Sequence, residues 1–481
     1  MLAVPHRFLI GWPEHVAPQL ALSTPSRPAG APSARLPILK QQQRINGRKP
    51  VGSQRPGEDH LHAARSPDLV NTEVMTIRRR GPRRKPPVIG PRVNPLRTTT
   101  WRRLLQAHAE TFLAWLASTG KRFEVFDRLA GALEDFLLQH VLAGNTEFSA
   151  NESCMGFANA LPLVFSRCNE AIYDQSYVAE GYAFVYLLER YRRFTQILDV
   201  LLRAGILPMR DQGVDVLDVG VGPGAALYAA SDFYDQLAEY ARQHEIDELK
   251  TPLPRLSAFE SSWRMGLVMH WISELRGQPQ FHRPFGPFDG VDFEVLRERR
   301  RDELFMSALD SDDPLETLSA IPDYKNEWRF NLGIFSYVLT QEAMVTKLSR
   351  ELEGLFRSMR AGGVVVTLGG IREYRKVYKA VDKIARRELM ERRERPHSRM
   401  RLVYTDPYTA RIKELYRRIW QHLEAHAIGL DAVKSQLPKD LWNADAPLTG
   451  PAGFGLRIFR RLDITPSKGS FQKAKASMER R

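Results

Sequence analysis

Residues 214–227, VDVLDVGVGPGAAL, constrain this chain more than any other stretch. Val214–Asp218 are apolar apart from Asp215 and Asp218, the pattern of a short strand ending at a carboxylate. Gly220, Gly222 and Gly224 come next, and Ala225, Ala226 and Leu227 then favour helix. A strand, a glycine-rich turn and a helix in that order build a nucleotide-type pocket. Glycine lets the backbone close on a ligand, and the helix N-terminus offers unpaired amide donors.

Two ligand classes use such a turn. Gly220, Gly222 and Ala225 fit G-x-G-x-x-G/A, which leaves open a dinucleotide and with it a dinucleotide-dependent oxidoreductase. Asp218 shifts the balance, because a carboxylate there repels a pyrophosphate and welcomes a cationic ligand or an amino group. The pattern D-x-G-x-G-P-G that begins at Asp218 resembles motif I of class I S-adenosylmethionine-dependent methyltransferases. That family binds a sulfonium cofactor that also carries an ammonium group. The resemblance implies S-adenosyl-L-methionine as cofactor, held at Asp218, Gly220, Gly222 and Gly224.

Further pieces of the chain match the same family. Arg255–Phe259 reads as a second strand ending at Glu260, where the family places an acid on the ribose hydroxyls. Gly220 and Glu260 are 40 residues apart, against about 20 in the usual fingerprint, and Ile246–Pro254 reads as the loop that makes up part of the excess. Phe330–Leu339 resembles the family's fourth strand, with Asn331 in place of the common acid. A helix is expected over Ala343–Met359, with Leu348, Leu352, Leu355 and Phe356 on one face, stopped by Ala361-Gly362-Gly363 before a strand at Val364–Leu368. Residues 450–462 are expected to add a late edge strand. Strands alternating with helices imply an α/β fold, a doubly wound and mostly parallel sheet of the Rossmann-like methyltransferase kind.

The organisation expected around this core has five parts: a disordered basic arm over 1–97, a helical domain over 98–206, the methyltransferase core over 207–370, a C-terminal helical segment with the edge strand over 371–465, and a disordered basic tail over 466–481. The arm is rich in Pro, Ser, Gly, Ala and Arg and lacks apolar periodicity. It reads equally as a targeting segment or as a gene-model extension ahead of a start at Met75. In the helical domain, Trp101–Ala143 is broken at Thr119-Gly120, and Ala179–Leu202 carries Tyr182, Phe184, Tyr186, Tyr191 and Phe194, expected mainly as core. Ile371–Arg395 is expected to be one basic helix ended by Pro396.

Charge is distributed unevenly. Residues 1–103 carry 19 Lys+Arg against 5 Asp+Glu, residues 104–371 carry 25 against 38, and residues 372–481 carry 26 against 13. An acidic centre between basic flanks suggests contact with a polyanion, RNA being the candidate partner, with Arg78–Lys85 the densest run. The helical N-domain, D-x-G-x-G-P-G and FSYVLTQE also resemble methyltransferase-like factors of mitochondrial small-subunit ribosome assembly, over the central region only. The cysteines that ligate a cluster in those proteins are absent here. A methyltransferase-fold RNA-binding or ribosome-assembly protein without catalysis is therefore the alternative to an enzyme. No stretch approaches a membrane span, and the expected location is cytoplasmic, or mitochondrial if the arm is a transit peptide.

Methyl transfer needs chiefly positioning, plus a base where the acceptor carries a proton. The family places acceptor-side groups around the end of strand four, which points to Tyr337 and Glu342 as catalytic candidates beside Ser336 and Gln341. Both cysteines, Cys154 and Cys168, precede motif I, so a cysteine nucleophile near strand four is excluded. Thr405-Asp406-Pro407-Tyr408 resembles the motif used on exocyclic amino groups of bases but lies after the fifth strand. No metal ligands are assigned: two cysteines cannot make a four-cysteine site, and His270 and His282 lack a matching cluster.

Overall fold

The computed structural model describes residues 95–462, apart from 145–147, 167–171, 211–212, 251–253, 279–285, most of 294–328, 371–374, 394–398, 404, 444 and 449–452. The arm up to residue 94 with its Arg78–Lys85 run, the tail 466–481, Cys168 and His282 lie outside the described residues.

Seven strands form one sheet: β1 (Asp215–Val219), β2 (Arg255–Phe259), β3 (Phe330–Ser336), β4 (Met359–Gly369), β5 (Met390–Arg392), β6 (Arg399–Met400) and β7 (Phe454–Arg461). Their order is β2-β1-β3-β4-β7-β5, with β6 also on β7. The first four are parallel, and β7 runs antiparallel to β4, β5 and β6. This is the expected α/β fold with a mostly parallel, doubly wound sheet. Both faces are covered, so alternate residues enter two different cores. Val216, Leu332, Ile334, Val364 and Val366 face one, whereas Leu217, Val219, Phe335 and Val365 face the other. That double burial is why these strands read as continuous apolar runs.

The first core is closed by α1 (Pro95–Thr119), α2 (Lys121–Asp135), α3 (Ala150–Ser166), α4 (Val178–Arg203), α5 (Ala225–Gln243) and α6 (Trp263–Leu275). The second lies under α7 (Glu342–Lys347), α8 (Ser349–Ser358) and α9 (Arg375–Arg387), while α10 (Asp406–His426) returns to the first. Gly120, in the left-handed region at φ 68°, makes the break between α1 and α2. Aromatic edges tie the helical layer to the sheet-bound α5: Phe112 meets Phe233 and Tyr240 at ring distances of 5.6 and 5.4 Å. Among the described residues no helix is long and apolar enough to cross a membrane.

Three local expectations are corrected. β7 is an interior strand, flanked by β4 on one side and by β5 and β6 on the other, where an edge strand was expected. The basic helix expected over 371–395 ends at Arg387. Leu389 takes φ 60°, which turns the chain, and Met390–Arg392 then pairs with β7. The helix expected over Ala343–Met359 is divided at Leu348, and Met359 already belongs to β4. For Met390–Arg392, pairing with β7, a strand from the far end of the chain, overrides the helical local pattern, and Met359 is drawn into the sheet by pairing with Phe330 of β3.

A buried ionic knot joins three helices on the first face. Asp232 of α5 accepts from the Arg276 guanidinium at 2.8 and 2.9 Å and from the Tyr191 hydroxyl of α4 at 2.7 Å, and Arg276 ends α6. All three side chains are buried. Removing one partner of such a pair leaves a buried charge uncompensated, at about 3–5 kcal/mol. Asp232→Ala should lose about that much in urea unfolding, and a loss below about 1 kcal/mol, the value of an exposed pair, would mean the knot is not structural.

Candidate functional site

The chain leaves β1 for β2 on one side and returns to β3 on the other, so a crevice opens at the carboxyl ends of these strands. Three segments line it: the glycine turn after β1, Glu260 after β2, and Tyr337 after β3. The Phe259 carbonyl accepts the amides of Gly220 at 2.8 Å and Val221 at 3.1 Å, which locks the turn onto the end of β2.

The three glycines serve different ends. A Cβ on Gly220 would lie 1.9 Å from Val338 Cγ2, and one on Gly224 would lie 2.8 Å from the Tyr228 ring. Those two glycines are required by packing within the protein. Gly222, at φ 55°, has nothing nearer to such a Cβ than Tyr182 Cε1 at 3.9 Å. Gly222 is the one of the three where a Cβ would meet only ordinary contact and no collision.

Glu260 faces this turn. Its Oε2 accepts the Gly222 amide at 2.8 Å and its Oε1 accepts the Ser262 amide at 3.0 Å. Burial pushes its carboxyl above the usual range, and the backbone donors from Ser262 and Gly222 pull the other way. Ser262 then caps α6, its Oγ accepting from the Met265 amide at 3.2 Å and donating to Asp174 at 2.7 Å. Asp218 is different. It is fully buried, and neither carboxylate oxygen has a hydrogen-bond partner. Burial first, and the Glu260 carboxylate second, push it well above the ordinary carboxylate range, while Arg190 acts in the opposite direction.

Arg190 comes from α4 and was not singled out in the sequence. Its guanidinium lies 4.9 Å from the ring of Tyr182, 5.4 Å from that of Tyr186 and 4.5 Å from that of Tyr337. Residues 182, 186 and 190 share one helix face at four-residue spacing, which was the available signal. Tyr337 takes φ 62°, a region costly for a bulky residue. It is held there by its amide on the Leu368 carbonyl at 3.1 Å and by Arg193, which donates to its hydroxyl and also pairs with Glu189.

The structure thus brings together Asp218, Gly220, Gly222, Glu260 and Tyr337, with Gly224 packed behind the turn. Glu342 is placed elsewhere, exposed in the first turn of α7. Asn331 lies at the opposite end of the strands, where its Oδ1 accepts the Asp215 amide at 2.9 Å, and the Asp215 charge there is met by Arg255 at 2.7 Å. Thr405–Tyr408 is the start of α10, with Tyr408 buried beneath the Arg192 guanidinium at 3.8 Å.

No protein-family model matches the chain, and no curated protein sequence matches it either. Solved structures of similar fold include a putative class I S-adenosylmethionine-dependent methyltransferase from Listeria monocytogenes. It is 11% identical, covers 72% of this chain and 91% of its own, and has a TM-score of 0.27. An O-methyltransferase from Bacillus cereus in complex with S-adenosylhomocysteine is 10% identical, covering 64% and 99%, at a TM-score of 0.24. A geranyl diphosphate C-methyltransferase from Streptomyces coelicolor is 10% identical, covering 62% and 86%, at 0.26. Similarity this distant assigns no activity; that has to come from the site itself.

The division of labour among the glycines is testable by stability alone. Gly220→Ala and Gly222→Ala both place a side chain at positive φ, at about 1–2 kcal/mol. Gly220→Ala adds a collision with Val338, worth about a further 1–3 kcal/mol. The thermal midpoint should therefore fall clearly further for Gly220→Ala. Equal midpoints would show that Gly220 is not held against Val338.

Proposed function

We propose that this protein is an S-adenosylmethionine-dependent methyltransferase that holds its cofactor in the crevice beside Gly222. The observation that carries this reading is Asp218, a fully buried carboxyl group with no well-formed hydrogen bond, next to a turn that is free of steric collision at Gly222. A buried unpaired acid is costly. A cationic ligand with N–H donors relieves both the charge and the unmet hydrogen bonds.

The residues present suit the cofactor's parts. Glu260 accepts the Gly222 amide on Oε2 and the Ser262 amide and Ser261 hydroxyl on Oε1, which leaves a lone pair of Oε2 for a ribose hydroxyl. Asp218 suits the cationic amino acid end, and Arg190, poised among three tyrosine rings, suits its carboxylate. When bound, the cofactor supplies an electrophilic methyl group on a sulfonium. The chain's own part is to orient the reactants and exclude water, and Tyr337 is the acceptor-side candidate at the crevice. A dinucleotide fits less well, because the buried Asp218 and half-buried Glu260 carboxyl groups lie beside the turn that would hold a pyrophosphate.

Calorimetry with S-adenosylmethionine, S-adenosylhomocysteine and NAD tests this reading. The two sulfur compounds should bind and NAD should not. Gly222→Asp places a second carboxylate where the ligand approaches, and affinity should fall at least tenfold, about 1.4 kcal/mol. Tight NAD binding, or a folded Gly222→Asp protein with undiminished affinity, would remove the proposal.

Binding should also move a proton. In the free site Asp218 is protonated at pH values up to its raised pKa, whereas a cation favours the carboxylate. Uptake of S-adenosylmethionine should therefore release a proton from about pH 4 up to that raised value. Affinity should climb with pH across this window and level off above it. Measured in buffers of different ionisation heat, the release should vanish in Asp218→Asn. Proton release unchanged in that variant would assign it to another group, such as Glu260.

A further inference from the structure

A second cluster lies apart from the crevice, where α10 ends against α3. Cys154 stands in the second turn of α3 and is fully buried. His422 and His426, four residues apart in the last turns of α10, stack their rings with centroids 4.4 Å apart. One side-chain donor atom from each of Cys154, His422 and His426 lies within 4.8 Å of the others. No residue of this cluster takes part in the site described above.

We infer that Cys154, His422 and His426 form a binding site for a single zinc ion, which clasps α3 to α10. Four features support it. First, the donor set is one thiolate and two imidazoles, a combination that zinc accepts with a water in the fourth position. Second, the spacing is close to what is needed. Bonds of about 2.3 Å to sulfur and 2.0–2.1 Å to nitrogen put tetrahedral ligand atoms about 3.3–3.7 Å apart, within reach of small side-chain rotations. Third, His422 Nε2 is buried without a well-formed hydrogen bond, the Leu142 carbonyl being the backbone acceptor beside the ring. Fourth, His426 Nδ1 lies 3.0 Å from the His422 carbonyl. A nitrogen beside a carbonyl carries the proton, which leaves Nε2 with its lone pair free for a metal. A backbone carbonyl on the other ring nitrogen is the usual way a metal-bound histidine is oriented.

The thiol sits 3.7 Å from the Leu142 carbonyl. On zinc binding its proton passes to solvent, the sulfur bonds to the metal, and no electron is transferred. The site would link the start of α3 and the end of α10, two segments remote in sequence. Little in the sequence signals it: His-x-x-x-His is a short pattern, and its cysteine stands far upstream.

The experiment uses full-length protein stripped with a chelator and titrated with cobalt(II), then with zinc. One equivalent of cobalt should produce thiolate-to-metal charge-transfer absorption and the strong d–d bands of a tetrahedral site, and one equivalent of zinc should displace it. Cys154→Ser should abolish the charge-transfer band, Cys168→Ser should retain it, and His426→Gln should weaken zinc binding about 100-fold, the upper end for disturbing a metal site. Zinc should raise the thermal midpoint of the wild type and of Cys168→Ser alone among these proteins. Circular dichroism checks that each variant is folded. Should Cys154→Ser fail to fold, the wild-type spectrum and His426→Gln decide. Absence of a saturable cobalt band in the wild type, a band that follows Cys168 instead of Cys154, or undiminished zinc affinity in His426→Gln would each overturn the site.

Discussion

The closure of the glycine turn by the end of β2 is the interaction on which the rest of the crevice depends. Three successive amides, from Gly220 to Gly222, are taken up by the Phe259 carbonyl and the Glu260 carboxylate. With those donors satisfied, the turn can stand open at Gly222 without unmet backbone groups. The same bonds hold Glu260 against the turn and so bring a second carboxylate towards Asp218. A parallel pairing in register, Val219 beside Phe259, is what puts the two strand ends level enough for this to happen.

The electrostatics follow from that placement. Two acids at the ends of neighbouring parallel strands, Asp218 buried and Glu260 half-buried, are treated unequally. Glu260 is given well-formed backbone donors, whereas the Asp218 oxygens have only the Val219 amide nearby. The nearest compensation for Asp218 is Arg190, whose guanidinium is spread over three aromatic faces rather than paired with the carboxylate. Such an arrangement leaves a buried acid and a cation near each other without a direct ion pair. It suits a ligand that carries both charges, as an amino acid moiety does, better than one that carries a single phosphate charge.

Much of this was legible in the sequence, and the reasons differ by element. β1, its turn and α5 were readable because strand, glycines and helix are contiguous, and Glu260 because a second apolar run ends in an acid. That β1 to β4 run parallel followed from the alternation of strands with helices, whereas their order did not. What stayed hidden depended on distant partners. β7 reads as an edge strand until its two neighbours are known, and Met390–Arg392 reads as helix until β7 is there to pair with it. Arg190 was lost because Tyr182 and Tyr186 form a stripe that helical core also produces. Periodicity reports which face is apolar and says nothing about whether that face meets a wall or a crevice.

The strain at Tyr337 is the last consequence of the turn. Gly220 has no side chain, and Val338 fills the space that one would occupy. To drop Val338 onto Gly220 the chain must bend immediately after β3, and Tyr337 absorbs the bend at φ 62°. A non-glycine residue in that conformation costs of order 1–3 kcal/mol unless its surroundings hold it. Here they do, through the Leu368 carbonyl and Arg193. The bend turns the Tyr337 ring towards Arg190, so a packing demand at the back of the turn sets the wall at its front. Relaxing Gly220 or Tyr337 separately would therefore disturb the other. The aromatic enclosure of Arg190 belongs to the same construction as the glycine turn.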